Sequence, residues 1–460
     1  MIRFLSVLLL LRSLAFAADG ADAKPNVLFI MADDLGWSDL ACQGNSLLDT
    51  PRLDDLAAQG MRFTDAYAAA PVCSPTRCAV LTGQAPARIG LTTHLPGLFF
   101  PKDDRPQPAE FVPELATEHF TVAERMKEAG YATAFLGKWH VAPASGPRGQ
   151  VAEPLSPTGQ GFDLNVGGTS YGGPPSFFSP YRNAALQDGA EGEYLPDRLV
   201  EETVRFIKKN KDRPWTAHLW FYTVHWPMQA PEALLEKYKD RKGRGLNDFR
   251  YGAMIEAMDL AVGRLLDALD ALGLAENTLV VFTSDNGGFA GVADNRPLRA
   301  AKGHLYEGGL RVPLIVRHPG KIKPGTTCNV PVISMDFYPT FLELAGLAPK
   351  PGKAIDGESL LPLLRQTGDL KRDAVFFHYP NYAWHMGNRL GGAVRSGRFK
   401  FIRRYDDDSL ELYDLSLDLG ETRNLAAARP KLSHALNARL ETWLKETDAP
   451  MPRPPKSAKP

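Results

Sequence analysis

Pro25-Asn26-Val27-Leu28-Phe29-Ile30-Met31-Ala32 runs without a charge and then stops at Asp33-Asp34-Leu35-Gly36. A stretch this short and this continuously apolar reads as a strand buried on both faces, because a half-exposed strand would alternate apolar with polar residues. Similar runs recur at Ala132-Thr133-Ala134-Phe135-Leu136, Thr216-Ala217-His218-Leu219-Trp220-Phe221-Tyr222, Thr278-Leu279-Val280-Val281-Phe282-Thr283 and Val312-Pro313-Leu314-Ile315-Val316. Between them, helical spacing marks residues 53–59, 121–129, 199–210 and 251–272, the last with Met254, Met258, Val262, Leu265, Leu266 and Leu269 on one stripe. Strands alternating with helices predict an α/β fold, a large and mostly parallel sheet sandwiched by helices. Ligands bind such sheets beyond the carboxyl ends of the strands. The residues that follow each run are therefore where chemistry is expected.

From about residue 357 the texture changes. Short alternating segments, Ala393-Val394-Arg395, Phe399-Lys400-Phe401-Ile402 and Leu410-Glu411-Leu412-Tyr413-Asp414-Leu415, predict a smaller antiparallel sheet closed by a helix over 431–446. The chain divides into a large unit, residues 24–356, an α+β unit, 357–448, and a Pro-rich end, 449–460, that predicts an unstructured tail. At the other end, Met1-Ile2-Arg3 and an apolar run closing on Ala15-Phe16-Ala17 have the pattern of a secretory signal peptide over 1–18, with a lipid-anchored or uncleaved leader as the alternative. No later stretch is apolar for long enough to span a bilayer, so a secreted or periplasmic location is expected.

A length of 460 residues suits a large domain with a smaller one appended. The 44% apolar and 23% charged content is that of an ordinary globular chain. Lys+Arg and Asp+Glu are equal at 53 each, so the bulk charge recruits neither nucleic acid nor an anionic membrane, and any anion must be gripped by local charge. Four cysteines, Cys42, Cys73, Cys78 and Cys328, are too few for a disulfide scaffold.

Asp33 and Asp34 end one run, and Asp285-Asn286 end another before Gly287-Gly288. Two strand ends that each offer oxygen ligands suit a hard divalent cation, while either pair alone is also ordinary turn chemistry. Cys73-Ser74-Pro75-Thr76-Arg77-Cys78-Ala79-Val80-Leu81-Thr82-Gly83 has the grammar of a helix start, with Ser74 as N-cap, Pro75 in the first turn and Gly83 near the end. Cys73 would then stand just before a helix amino end, where the dipole and free N–H groups favour anions. An activated thiolate, a buried structural cysteine and half of a disulfide all fit that position.

Cys-X-Pro-X-Arg inside Pro71-Val72-Cys73-Ser74-Pro75-Thr76-Arg77 with Leu81-Thr82-Gly83 resembles the signature of type I sulfatases, members of the alkaline phosphatase superfamily. The resemblance extends over nearly the whole chain after the leader through Asp33-Asp34-Leu35-Gly36, Gly137-Lys138-Trp139-His140, His225-Trp226-Pro227, Ser284-Asp285-Asn286-Gly287-Gly288, Lys302 with Glu307-Gly308-Gly309-Leu310-Arg311-Val312-Pro313, and Glu411-Leu412-Tyr413-Asp414-Leu415. It implies an arylsulfatase-like hydrolase of sulfate monoesters, of the bacterial carbohydrate sulfatase kind, in which a maturation enzyme oxidises Cys73 to Cα-formylglycine. It assigns a Ca²⁺ or Mg²⁺ ion to Asp33, Asp34, Asp285 and Asn286, with residue 73 completing the shell.

Under the same resemblance the hydrated aldehyde at position 73 is the nucleophile, and a sulfated enzyme is the intermediate. Arg77 would hold the diol, while Lys138 and Lys302 would face the sulfate oxygens, where charge needs stabilising in the transition state. His225 is the implied general acid for the leaving alcohol, and His140 the group that takes a proton as sulfate departs. Lys138 and His140 are two apart, which on an extended segment places both on one face. The chain departs from common family patterns at Val141-Ala142-Pro143, where relatives often have Leu-Gly, and at Thr223-Val224, where Pro is commoner; neither change replaces a functional atom.

The segment His378-Tyr379-Pro380-Asn381-Tyr382-Ala383-Trp384-His385, with Arg389 close behind, mixes aromatics and polar donors in a way that suits a sugar face. His94, Asn295, His378, Tyr382 and Arg389 are the residues expected to line a substrate pocket, and a packed seam between the two units is the equal alternative. The expected partners are a sulfated carbohydrate or other sulfate ester and the formylglycine-generating enzyme, with no nucleic acid. Two other functions remain open at this level: a phosphate or phosphonate monoester hydrolase of the same superfamily, and a non-catalytic carbohydrate-binding relative with an unmodified Cys73.

Overall fold

The apolar runs fold as strands: β1 (Asn26–Ala32), β2 (Met61–Phe63), β3 (Ala66–Tyr67), β4 (Ala132–Gly137), β5 (Leu164–Val166), β6 (Trp215–Trp220), β7 (Thr278–Ser284), β8 (Leu314–Arg317), β9 (Thr326–Cys328) and β10 (Val332–Ile333). The computed structural model describes residues 24–97, 100–101, 105–383, 385 and 387–455; the expected leader, Trp384 and the last residues of the expected tail lie outside the described residues. One eight-stranded sheet has the order β5-β4-β6-β1-β7-β8-β2-β9. Its centre, β4-β6-β1-β7, is parallel throughout, and the last rung aligns Gly137 with Trp220, Trp220 with Met31 and Met31 with Thr283. β8 runs antiparallel to both β7 and β2, so the sheet is mixed at one side.

The two-sided burial of β1 explains its uninterrupted apolar run. Leu28, Ile30 and Ala32 pack with the helices Leu195–Asn210 and Phe249–Ala271. Val27, Phe29 and Met31 pack on the opposite face with the helices Val122–Glu128 and Phe337–Leu344. Thr121 caps the first of these helices, its hydroxyl accepting the Glu124 N–H while the Glu124 carboxylate accepts the Thr121 N–H.

A second sheet is antiparallel, in the order β11 (Ala374–Tyr379), β12 (Gly391–Ser396), β13 (Phe399–Arg404) and β14 (Leu410–Asp414). One face, with Val375, Phe377, Tyr379 and Ile402, packs on Tyr67, Leu305 and Leu310 of the large unit. The other, with Ala374, Val394, Phe401 and Leu412, is covered by Leu436, Leu440 and Leu444 of the helix Pro430–Glu446. A buried ion network crosses between the units: Lys400 meets Glu307 at 2.9 Å and Glu421 at 3.0 Å, and Arg311 meets the same Glu307 at 2.6 Å. The segment 449–455 departs from the expected free tail. Arg453 and Gln107 exchange backbone hydrogen bonds at 2.9 Å, and the Pro450 carbonyl lies 2.9 Å from His378 Nε2.

Among the described residues no helix is long and apolar enough to cross a membrane.

Candidate active site

Four adjacent parallel strands end at one level, and each delivers polar groups just beyond its carboxyl end. β1 gives Asp33 and Asp34, β7 gives Asp285 and Asn286, β4 gives Lys138 and His140, and the loop after β6 gives His225. That loop is fastened to β1 by two backbone bonds, Asp33 N–H to the Thr223 carbonyl at 2.9 Å and Val224 N–H to the Asp33 carbonyl at 2.7 Å. Helix α1 (Pro51–Ala58) packs in the core shared by β1 and the helix Phe249–Ala271, and helix α2 (Cys73–Thr82) points its amino end into the cluster, carrying Cys73 and Arg77. Lys302 arrives from the connection after β7, its N–H donating to the Gly288 carbonyl at 3.1 Å.

Asp33, Asp34 and Asp285 are buried, and their ligand oxygens lie within 4.8 Å of one another. Two further observations fit this donor set to a cation: Asp33 Oδ1 and Asn286 Oδ1 are buried oxygens that accept no hydrogen bond among the described residues. Hard oxygen ligands without imidazole or thiolate select Ca²⁺ or Mg²⁺. Three basic side chains answer the three carboxylates. Lys138 Nζ meets Asp33 at 2.7 Å, Lys302 Nζ meets Asp34 at 2.6 Å, and Arg77 donates to Asp285 Oδ2 from Nε at 3.0 Å and from Nη2 at 2.7 Å. Arg77 also donates to the Lys138 carbonyl at 2.7 Å, and its guanidinium lies 5.4 Å from the Trp220 ring. Burial drives the Asp33 carboxyl well above the usual carboxylate range against the pull of Lys138. Burial acts the same way on Asp34, but Lys302 and then His225 outweigh it and hold Asp34 below that range.

Lys138 and His140 do not converge by strand alternation. β4 ends at Gly137, whose φ of +102° turns the chain, and His140 itself is left-handed at φ 53°. A side chain at position 137 would bring its Cβ to 1.9 Å from the Trp220 carbonyl oxygen, so only glycine allows this exit from the strand. The His140 Nε2 lies 2.6 Å from the Leu95 carbonyl oxygen, and Nδ1 lies 3.4 Å from both Cys73 Sγ and Ser74 Oγ. A carbonyl only accepts, so Nε2 carries the hydrogen and the neutral ring turns a bare Nδ1 toward residue 73. His225 is set the opposite way: Nδ1 donates to the Trp226 carbonyl at 3.0 Å, and Nε2 lies 3.8 Å from Asp34. Burial, then Lys302, pushes His225 down to about 3. His140 is pushed well below its usual value by burial and then Lys138.

Ser74 is not the N-cap. Val72 holds that position with extended backbone, Cys73 is the first helical residue, and the Ser74 hydroxyl accepts the Leu95 N–H at 3.0 Å instead.

Of the five residues expected to line a substrate pocket, the structure brings His94 into the cluster. Burial, and then its nearness to His140, Lys302 and His385, push its pKa down to about 2. Asn295 lies nearby, but its amide is spent on both backbone groups of Gly288, at 2.9 and 3.1 Å. His378 and Arg389 are engaged elsewhere. His378 has its two ring nitrogens 2.9 Å from Tyr405 Oη and the Pro450 carbonyl, on the sheet face turned to the closing helix. Arg389 is paired with Asp406 and Asp407 at 2.7 Å, and Tyr382 is buried with the Arg105 guanidinium 5.2 Å from its ring.

Residues that sequence reasoning passed over also reach the cluster. Tyr379, next to His378 but on the other face of β11, approaches Thr93 in the field of Cys73 and Lys302 without completing a hydrogen bond. Gly172 and Gly173 press against the two histidines. A Cβ at 172 would lie 2.8 Å from His140 Cε1, and one at 173 would lie 2.7 Å from His225 Nδ1. The Gly172-Gly173 pair in Tyr171-Gly172-Gly173-Pro174 was the available signal, since adjacent glycines permit close approach.

Residues 25–347 match the family model described as Sulfatase, and residues 300–449 match that described as N-sulphoglucosamine sulphohydrolase, C-terminal. A protein named Sulfatase from Formosa agariphila is 33% identical over 94% of this chain and 90% of its own. Human Arylsulfatase A is 35% identical over 92% of this chain and 88% of its own. Among solved structures, Ps i-CgsB in complex with k-i-k-neocarrahexaose superposes with a TM-score of 0.79 at 28% identity, over 94% of this chain and 96% of that one.

Proposed function

The chain belongs to the sulfatase family and is a sulfuric ester hydrolase, and from that premise we propose that it removes sulfate from carbohydrates using a formylglycine made from Cys73. The observation that carries this reading is the arrangement around residue 73: three buried carboxylates, three basic side chains, and a bare imidazole nitrogen 3.4 Å from the Cys73 sulfur. Here the sulfur stands for the oxygen atoms of the hydrated aldehyde.

The electrostatic logic is simple. Asp33, Asp34 and Asp285 are each paired with one basic side chain, Lys138, Lys302 and Arg77 in turn. A divalent cation held by Asp33, Asp34, Asp285, Asn286 and residue 73, Ca²⁺ first and Mg²⁺ second, adds positive charge and lowers the pKa of the oxygen it holds. The surplus suits a sulfate ester. In this reading Arg77 orients residue 73 from below, Lys138 and Lys302 face the sulfate oxygens, and His225 Nε2 gives a proton to the leaving alcohol. His140 Nδ1 takes a proton from residue 73 as sulfate is released. The low resting pKa of His225 makes protonation dependent on the bound anion, which counters Lys302.

The carbohydrate part of the reading is supported by the neocarrahexaose bound to the related Ps i-CgsB. Secretion or a periplasmic site follows from the leader pattern, and a formylglycine-generating enzyme is the required partner.

The test uses protein co-produced with such an enzyme, with residue 73 identified by peptide mass. Hydrolysis of a panel of sulfated mono- and disaccharides, loss of activity on chelation and its return with Ca²⁺ or Mg²⁺ are expected. A phosphate or phosphonate ester hydrolysed faster than any sulfate ester would overturn the reading, as would full activity with an unmodified Cys73.

A further inference from the structure

Ser74 is fully buried inside α2, and what it does there follows from Leu95. The Leu95 N–H donates to Ser74 Oγ at 3.0 Å, while the Leu95 carbonyl accepts the His140 Nε2–H at 2.6 Å. One residue therefore ties the amino end of α2 to the imidazole. Residues 91–97 around it are neither helix nor strand, so no ladder holds the Leu95 peptide in place. The Gly172 backbone also approaches the ring, close enough that an added Cβ would lie 2.8 Å from His140 Cε1. If the Leu95 carbonyl were to swing away, Nε2 would lose its acceptor, and only the longer 3.4 Å contacts of Nδ1 with Ser74 Oγ and Cys73 Sγ would favour the hydrogen on Nε2. The other tautomer carries it on Nδ1, which then cannot accept a proton from residue 73.

We propose that Ser74 is a positioning residue for sulfate release, acting through Leu95 on the tautomer of His140. The inference rests on residue 73 being the hydrated aldehyde. In the release step, bare Nδ1 takes the proton of the free hydroxyl on residue 73, that O–H electron pair becomes the new C=O bond, and the bond from the residue's carbon to the sulfate oxygen breaks with its electrons leaving on sulfate. Cleavage of the substrate ester precedes this step and makes no use of His140. Loss of Ser74 therefore slows the second step and spares the first.

Ser74→Ala and Ser74→Thr both preserve Cys-X-Pro-X-Arg, so each can be matured and its formylglycine content measured by peptide mass. With 4-nitrophenyl sulfate, Ser74→Ala is expected to lose about 10- to 100-fold in kcat while kcat/KM, which reports the first step, stays unchanged. A burst of one nitrophenol per matured site accompanies the slower turnover. Ser74→Thr, which keeps the hydroxyl, restores kcat. A second readout uses unmatured protein: the ¹⁵N shifts of His140 report a single Nε2–H tautomer in the wild type and a mixture in Ser74→Ala. Should Ser74→Ala fail to fold, Ser74→Cys, with a weak acceptor of similar size, carries both measurements. An unchanged kcat, a parallel fall in kcat/KM, or an unchanged tautomer overturns the positioning role alone. A matured wild type that hydrolyses no sulfate ester overturns the reading beneath it as well.

Discussion

His218 should make this protein acid-sensitive, and replacing it with phenylalanine should flatten the response. The residue lies in the middle of β6, wholly buried, opposite Phe29 on β1 and Phe135 on β4. Its ring centroid is 5.3 Å from that of Phe162, 5.5 Å from Phe29, 6.0 Å from Trp220 and 6.1 Å from Phe341. Neither ring nitrogen has a hydrogen-bond partner among the described residues. Burial alone pushes its pKa down to about 3, against about 6.5 in an unfolded chain. A folded pKa below the unfolded one means that the unfolded chain binds the extra proton, so stability is lost as pH falls below about 6.5. At pH 5 that is about 1.5 pH units, or about 2 kcal/mol. A chain of 460 residues has an unfolding entropy of about 1 kcal/mol/K, so 2 kcal/mol appears as about 2 °C. The measurement is calorimetric Tm at pH 7 and pH 5 for wild type and His218→Phe. At pH 7 the sign is open to two opposing terms, because removing two unsatisfied nitrogens stabilises and the larger ring crowds the core. The difference in slope is free of both. Equal drops in Tm from pH 7 to pH 5 would refute the argument.

Cys73→Ala should retain the Tm of unmatured wild type and lose all turnover; measurable steady-state turnover by the alanine variant would remove residue 73 from the nucleophile's role. Gly172→Ala should cost about 100-fold in kcat, because a Cβ 2.8 Å from His140 Cε1 displaces the ring from the Leu95 carbonyl; steady-state kinetics with a Tm control checks it. Glu421 behaves oppositely to His218, since burial raises it to about 7 against the pull of Lys400. An acid with a raised folded pKa contributes stability at low pH that is lost as pH rises from about 4.5 through about 7, by up to about 3 kcal/mol. Glu421→Gln should lose that part of the Tm decline between pH 5 and pH 8.

The central strands were legible because β1, β4, β6 and β7 are covered on both faces, which leaves unbroken apolar runs in the sequence. β2 and β9 have three residues each and carry no such run. The reversed direction of β8 is equally invisible, since Leu314-Ile315-Val316 would pack as well parallel as antiparallel and only the chain's route to it decides. In the second sheet alternation was visible but its parity was not. Both faces of β11 are covered, one by the large unit and one by the closing helix, so period two does not tell whether His378 or Tyr379 faces the catalytic cluster. The sequence reading took His378, and the structure turns Tyr379 that way.

The site itself was legible in proportion to how directly the sheet builds it. Asp33, Asp34, Asp285, Asn286 and Lys138 follow strand ends at once, and parallel neighbours bring their carboxyl ends to a common level, so spacing along the chain translates into proximity. Ser74 shows where that translation stops. A serine ahead of proline at a helix start has the local preferences of an N-cap, worth about 1 kcal/mol, yet a buried Leu95 N–H with no helical or sheet partner competes for the same hydroxyl. Leaving that N–H unsatisfied costs about 1–3 kcal/mol, so the tertiary demand wins and the helix begins two residues earlier than its local grammar predicts. The hydroxyl that fails to cap α2 is thus the one that holds the residue orienting His140.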